Sequence, residues 1–222
     1  MIPPEQNGEF VARMEDVLDI YCWEHDEKYP VVCMDEQPTQ LVKETREPLP
    51  CAPGKPAKYD YEYERNGTAN NFLFTEPKAG WRKVSVRETK TRQDWAAEVQ
   101  CLLDEDYPDA EVVILICDNL NTHTLGALYE TFPAAQAKRL ADRLDLRYTP
   151  KHGSWLNVAE IELSVLTKQC LSRRIADLAT LRRETSAWAE QRNEAQTGVD
   201  WHFTTNDART KLKRLYPQVR MA

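Results

Sequence analysis

The chain has 222 residues, 41% of them hydrophobic, which is enough apolar surface for one large domain or two small ones. No apolar run reaches the roughly 18–20 residues that span a bilayer, and the N-terminus lacks the order of a signal peptide, so we expect a cytoplasmic protein without membrane contacts. Six cysteines stand far apart without a CxxC pair. This spacing argues against a zinc site and against a disulfide framework.

The charge is unevenly distributed along the chain. A net charge of −7 and a pI near 5.3 argue against a polyanionic partner. From Leu163 onward, however, there are eleven Lys and Arg against six Asp and Glu, a balance of +5 that leaves −12 for the rest. The basic runs lie at 173–174, 182–183 and 211–214. They are either a surface that binds nucleic acid or ordinary solvated helix faces.

The N-terminal half predicts one helix followed by strands. Apolar residues at three- and four-residue spacing indicate an amphipathic helix over 9–23. The run VVCM then predicts a buried strand with Asp35 at its C-terminal end. A stretch dense in Pro and Gly at 46–57 predicts a loop or extended arm. Alternating patterns predict a three-stranded antiparallel meander, with Gly67 in a turn, over 59–64, 71–76 and 81–89.

The second half alternates helices and strands. A helical pattern over 91–106 precedes the strand EVVILIC at 111–117, which leads directly into Asp118. Asn157 is expected to cap a later helix that runs to about residue 174. The whole pattern predicts an α/β protein, a mixed sheet flanked by helices, with 1–175 as the main domain and 176–222 as its C-terminal helical extension. The remaining elements are two short helices within 124–144, a strand at 146–149, a loop at 150–155 and two C-terminal helices.

Three carboxylates are candidates for one site. The ends of neighbouring strands converge on one crevice, which brings Asp35 and Asp118 together, and a helix packed there adds Glu160. Oxygen ligands suit Mg²⁺ or Mn²⁺, and two such ions about 3.5–4 Å apart support phosphoryl transfer. Each acid taken singly is more often a turn or cap residue. Glu36 and Glu162 compete as ligands, although Glu160 and Glu162 lie about 200° apart on a helix and cannot face the same crevice.

Three blocks resemble a known family. They are CMDEQ at 33–37, CDNLNTH at 117–123 and TPKHGSWLNVAEIELSVL at 149–166. In this order they resemble the bacterial insertion-sequence transposases of the mariner superfamily, which are DDE enzymes. The block Asn157 to Glu160 is similar to the one that carries the family's third acid, and this correspondence favours Glu160 over Glu162. The resemblance implies an RNase H-like fold.

The resemblance also implies an activity. Asp35, Asp118 and Glu160 would be catalytic and would hold two Mg²⁺ or Mn²⁺ ions. The reaction would be phosphodiester hydrolysis at a transposon end, followed by attack of the freed 3′-hydroxyl on target DNA, carried out by a homodimer. Other candidates for the surroundings of the acids or for DNA contact are Asn119, His123, Lys151, His152, Trp155 and Asn157. Trp155 also suits the core.

Two features depart from the family pattern. Forty-one residues separate Asp118 from Glu160, longer than in eukaryotic mariner relatives, which suggests additional helix around 131–143. Family members also carry N-terminal helix-turn-helix modules, and the stretch before Asp35 is too short for them. We therefore expect the DNA-binding part to be missing or encoded separately.

Three alternatives remain open from the sequence. A different RNase H-like nuclease would arrange metal-binding acids in a similar way but would cut DNA without joining it. A transposase remnant would only bind DNA or dimerise. An ordinary α/β domain would use the same acids as surface caps.

Overall fold

The computed structural model describes residues 7–47, 49–56 and 60–218. Its centre is a five-stranded mixed sheet in the order β3-β2-β1-β4-β5. Strand β2 pairs antiparallel with both β1 and β3, whereas β4 pairs parallel with both β1 and β5. The strands are β1 (Val31–Glu44), β2 (Tyr63–Glu76), β3 (Trp81–Arg87), β4 (Val113–Cys117) and β5 (Leu144–Tyr148). The predicted mixed sheet flanked by helices is confirmed.

Helices cover both faces of the sheet. They are α1 (Gly8–Cys22), α2 (Arg92–Cys101), α3 (Leu125–Thr131), α4 (Ala134–Asp142), α5 (Val158–Leu166), α6 (Leu178–Glu194) and α7 (Thr205–Lys211). A π-helical turn extends α2 over Leu102–Asp106, and another extends α5 over Thr167–Leu171. Short 3₁₀ turns occupy Ser154–Leu156 and Lys213–Leu215.

Alternate side chains of β1 enter two separate cores. Cys33 packs with α1 and α5, whereas Val32 and Met34 pack against α2 with Trp95. This is the two-residue period of a strand buried on both faces. Trp188 of α6 joins the core that contains Cys33, which we call the core of the first face. The C-terminal helices therefore share a core with the sheet. The division at residue 175 remains a prediction.

The predicted end of the first strand is wrong. Strand β1 continues past Asp35 to Glu44 and pairs with β2 over most of this length. The sequence pattern misleads because Pro38 follows, and proline normally stops a central strand. Here β4 pairs with β1 only from Val31 to Cys33. The following part of β1 is open on that side, and an open strand edge tolerates Pro38.

The predicted meander also needs correction. The second predicted strand and part of the first form a single strand, β2, and the antiparallel meander consists of β1, β2 and β3. Gly67 lies inside β2 rather than in a turn, with φ of 91°. The register of β1 against β2 shifts between Gln40 and Val42, opposite this glycine. The left-handed backbone that favours glycine therefore marks a bulge.

Among the described residues, no helix has the length and apolar character needed to cross a bilayer.

Candidate active site

Asp35 lies at the point where the sheet splits. It follows the last pair between β1 and β4 by two residues and is half-buried on the face that carries α5. Its Oδ1 accepts a hydrogen bond from the backbone N–H of Glu36, with an O···N distance of 2.7 Å. Burial raises the pKa of Asp35 to about 6, and the negative charges of Asp118 and Glu160 add to this increase. A Coulomb effect of this kind requires that the three carboxylates lie near one another.

Asp118 directly follows the buried strand β4, as the sequence predicts. Its side chain is 39% exposed, and its Oδ1 lies 2.8 Å from Nδ1 of His123. The loop after Asp118 turns back, since the His123 N–H donates to the Leu120 carbonyl at 3.1 Å. This turn places the side chain of His123 next to the carboxylate of Asp118.

Asn157 attaches the start of α5 to β1. Its Oδ1 accepts from the N–H of Ala159 at 3.1 Å, which makes it the N-cap of the helix, as predicted. Its Nδ2 donates to the carbonyl of Met34 at 2.9 Å. One buried side chain therefore sets the position of the first turn of α5, which carries Glu160, against the residue before Asp35.

Glu160 and Glu162 occupy opposite sides of α5. Glu160 is exposed, whereas Glu162 is buried between Arg192, at 2.9 Å, and Arg82, at 3.3 Å. Burial lowers the pKa of Arg82 and the charge of Glu162 raises it, with burial the larger effect. Glu162 neutralises the buried guanidinium of Arg82 and the half-buried one of Arg192, and Glu160 is the acid of this helix that remains available to the cleft.

Asp35 and Glu160 line the same open cleft between β1 and α5. Gln37 and Thr167 cross its floor with a hydrogen bond of 3.1 Å between their side chains. Lys168 also lines the cleft and is exposed. The sequence analysis did not identify Lys168, although it lies eight residues after Glu160, a spacing that places two helical residues on one face.

The donor set fits a hard divalent cation. Within residues 7–47, 49–56 and 60–218, no Lys or Arg pairs with Asp35, Asp118 or Glu160. In the same ranges no group of three His, Cys, Asp or Glu side chains is already drawn together around a point where an ion would sit. No Lys or Arg in the described part of the chain neutralises these acids, and the charges of Asp118 and Glu160 contribute, after burial, to the raised pKa of Asp35. A divalent cation with oxygen ligands would offset these negative charges.

The other predicted residues divide into buried and exposed groups. His123 is fully buried, whereas Asn119, Lys151 and His152 are exposed around the site. Trp155 is half-buried, and its ring centroid lies 6.2 Å from that of Phe203, so it packs with the core of the first face. A core position is one of the two roles that the sequence allows for Trp155, the other being DNA contact.

Burial and hydrogen bonding act in opposite directions on His123. Burial alone would lower the pKa of His123, but contacts with Asp118, Cys117 and Glu36 outweigh it and raise the pKa to about 12. The imidazole is therefore positively charged at neutral pH. Glu36, which the sequence offered as a rival metal ligand, instead lies with its Oε1 3.0 Å from Nε2 of His123.

Several C-terminal cations that suggested a DNA surface are ion-paired. Arg173 pairs with Glu184, Arg174 with Glu44 and Lys211 with Asp207. For these three cations, an ordinary ion-paired surface is a sufficient explanation, as the second alternative in the sequence analysis allows. Lys168, near the acids, is a better-placed cation than any of them.

A family model described as DDE superfamily endonuclease matches residues 30–182. The chain belongs to this family. No curated protein sequence matches it significantly. The matched residues of this DDE superfamily endonuclease include all three candidate acids, Asp35, Asp118 and Glu160.

Solved structures of Mos1 share the fold of this DDE superfamily endonuclease. The Mos1 mariner paired-end complex with Mn matches with a TM-score of 0.56 and 16% identity over 89% of this chain. The Mos1 strand transfer complex matches with a TM-score of 0.57 and 15% identity, and the paired-end complex with Mg with 0.55 and 15%. The chain spans 60%, 59% and 66% of those chains, respectively. The likeness confirms the predicted RNase H-like fold.

Proposed function

We propose that this chain is the catalytic part of a bacterial insertion-sequence transposase of the mariner superfamily. It would cut DNA at transposon ends and transfer the freed strands to target DNA, acting in the cytoplasm on nucleoid DNA. One observation carries the proposal: Asp35 lies at the edge where β1 and β4 separate, and the charges of Asp118 and Glu160 contribute to its raised pKa. Membership of the DDE superfamily endonucleases supports it.

Two Mg²⁺ or Mn²⁺ ions are the proposed cofactors, held by Asp35, Asp118 and Glu160. When bound, they would neutralise charge on the scissile phosphate and make an oxygen nucleophile available at neutral pH. Two of the similar Mos1 structures are paired-end complexes with Mn and with Mg. All-oxygen ligands suit both ions.

The protein's own residues supply positioning. The backbone N–H of Glu36 fixes one oxygen of Asp35, and His123 holds one oxygen of Asp118. Because Asn157 ties α5 to β1, Glu160 keeps its place relative to both acids. Alignment of reacting groups is a large part of phosphoryl-transfer catalysis, since the phosphate itself needs little covalent assistance.

Cations at the rim of the cleft are the proposed DNA contacts. Lys168 lies on the α5 side, and Lys151 and His152 lie in the loop before α5. Phosphate contacts would fix the register of the DNA, and exposed Asn119 is placed to assist. The solved Mos1 complexes are described as paired-end and strand transfer complexes. We propose by analogy that this chain binds transposon ends and target DNA as a homodimer.

The test is a joining assay on the full chain. Short duplexes with free 3′-hydroxyls and randomised terminal sequences are incubated with supercoiled plasmid and Mn²⁺, and junctions are recovered by sequencing. We expect junctions with the native chain and none with Asp118→Ala. Nicked plasmid without junctions would instead identify a plain nuclease. DNA binding without either product would identify a non-catalytic remnant.

A further inference from the structure

A buried histidine connects the two strands that carry the first two acids. His123 is completely buried, and both of its ring nitrogens lie against carboxylates. Nδ1 lies 2.8 Å from Oδ1 of Asp118, and Nε2 lies 3.0 Å from Oε1 of Glu36. Asp118 follows β4 and Glu36 belongs to β1, so the contact bridges two neighbouring strands.

The surroundings of His123 fix its ring. The ring stacks on Trp95 of α2, with centroids 5.7 Å apart and planes 28° apart. The hydroxyl of Tyr148 in β5 donates to the His123 carbonyl at 2.6 Å. Because strand, helix and loop all hold this one residue, its nitrogens have a defined direction.

Glu36 borders the acid cleft, but its buried side chain contacts His123. Neighbouring residues on a strand point to opposite faces, so Glu36 lies on the side of Met34 and Trp95, whereas Asp35 lies on the side of α5. The Glu36 side chain is only 3% exposed. The Nζ of Lys90 lies 4.0 Å from Oε2 of Glu36.

We propose that Glu36 and His123 form a positioning pair that holds the carboxylate of Asp118 in the orientation needed for metal binding. This inference rests on the proposed function. In this proposal neither member of the pair is a metal ligand. Nε2 of His123 is hydrogen-bonded to Glu36, Nδ1 lies against both the carboxylate and the backbone carbonyl of Asp118, and Glu36 acts through His123. Supporting groups behind metal ligands typically contribute about 10–100-fold to metal affinity or activity.

The test is a double-mutant cycle with polar replacements. Glu36→Gln, His123→Gln and the double variant are compared with the native chain by calorimetric Mn²⁺ titration and by plasmid cleavage rate. We expect each single variant to lower Mn²⁺ affinity about 10–100-fold. The double variant should be no weaker than His123→Gln, since residues that act as one unit are not additive. Additive losses would mean that Glu36 contacts the metal independently and would overturn the proposal.

A matched control separates positioning from general destabilisation. Glu98 is another buried carboxylate, bound to Ser85 at 2.6 Å and to Arg87, on α2 away from the three acids. Glu98→Gln removes the same kind of buried charge. We expect it to lower the melting temperature while leaving Mn²⁺ affinity within about twofold. An equal loss of affinity in Glu98→Gln would overturn the positioning role.

A structural readout keeps the inference distinct from the proposed function. Crystal structures of the metal-free native chain and of His123→Gln report the side-chain rotamer of Asp118 directly. We expect the native rotamer to be lost in the variant. If Asp118 keeps the same rotamer, the positioning proposal is wrong even if metal-dependent cleavage is found. If the native chain binds no Mn²⁺ while the rotamer does change, the proposed function fails and the positioning role stands.

Discussion

At the scale of single residues, the carboxyl group of Asp35 lies where burial and neighbouring negative charges disfavour its ionised form. The pKa of Asp35 is raised to about 6 first by burial and then by the charges of Asp118 and Glu160. A carboxyl group whose pKa is higher in the folded state favours folding while protonated. That contribution is full below the unfolded pKa of about 3.9 and is lost as the pH rises through about 6. At neutral pH, ionised Asp35 therefore opposes folding of the metal-free protein.

Asp35→Asn should stabilise the metal-free protein at pH 7.5. One pKa unit corresponds to about 1.4 kcal/mol, so the gain in free energy of unfolding is at most about 3 kcal/mol. It should shrink towards pH 5, where Asp35 is protonated in the native chain. Urea unfolding at both pH values measures it. Asp109→Asn, at an exposed aspartate, serves as the control and should change little at either pH. A destabilised Asp35→Asn protein at pH 7.5 would refute the electrostatic account.

The two glutamates of α5 should respond differently to removal. Glu162→Ala leaves the buried guanidinium of Arg82 and the half-buried one of Arg192 without their carboxylate and should cost about 3–5 kcal/mol of unfolding free energy. Glu160→Ala removes an exposed side chain and should change that free energy by less than about 0.5 kcal/mol. Chemical unfolding of the two variants in parallel tests this. Comparable losses of stability would mean that the assignment of the two faces is wrong.

At the scale of elements, Asn157 couples a helix start to a strand. Asn157→Ala removes the N-cap of α5, worth about 1 kcal/mol, and leaves the buried Met34 carbonyl without its partner, at about 1–3 kcal/mol. We expect a total loss of about 2–4 kcal/mol together with weaker Mn²⁺ binding. Thr91→Ala, which removes the cap of α2, should cost about 1 kcal/mol without changing Mn²⁺ affinity. Unchanged Mn²⁺ binding in Asn157→Ala would contradict the coupling.

The sequence predicts most elements but not how they pair. Strand β4 and helix α1 are evident from continuous apolar residues and from helical spacing, respectively, and both are confirmed. The extent of β1 is not evident, because whether Pro38 stops a strand depends on which neighbour is present. Gly67 likewise reads as a turn until the register of β2 against β1 is known. Tertiary pairing decides both cases.

The same limit applies to the site. The candidacy of Asp118 follows from a local pattern, since it ends a buried run. Helix geometry shows only that Glu160 and Glu162 cannot face one crevice, and the choice of Glu160 rests on the resemblance to the family. The contact between Glu36 and His123 joins residues 87 positions apart, and adjacency in sequence gives no sign of it. The expected convergence of strand ends and a helix already groups the three acids from the sequence, and the resemblance to mariner-superfamily transposases then favours Glu160 as the third.

At the scale of the whole molecule, the acidic chain must still attract DNA. Arg173, Arg174 and Lys211 of the basic C-terminal runs are neutralised by ion pairs. For DNA binding, the position of a cation near the acids therefore matters more than the total charge. Lys168 combines exposure with a position beside the acids.

Lys168→Ala should weaken DNA binding and reduce the dependence of log affinity on log salt by about one unit, as expected for one lost phosphate contact. Fluorescence anisotropy with a labelled duplex over a salt series measures both. Lys138→Ala, in which the lost lysine pairs with Asp142 on α4, is the matched control and should leave the slope unchanged. An unchanged slope in Lys168→Ala would exclude the phosphate contact.

The central claim is that Asp35, Asp118 and Glu160 together hold divalent metal. The most direct measurement is calorimetric titration of Mn²⁺ into the metal-free chain, with and without a DNA duplex, for the native protein, Asp118→Ala and Glu160→Ala. The account predicts binding by the native chain, loss of binding in Asp118→Ala and at least about tenfold weaker binding in Glu160→Ala. Identical titrations for all three proteins, or no binding by the native chain even with DNA present, would contradict it.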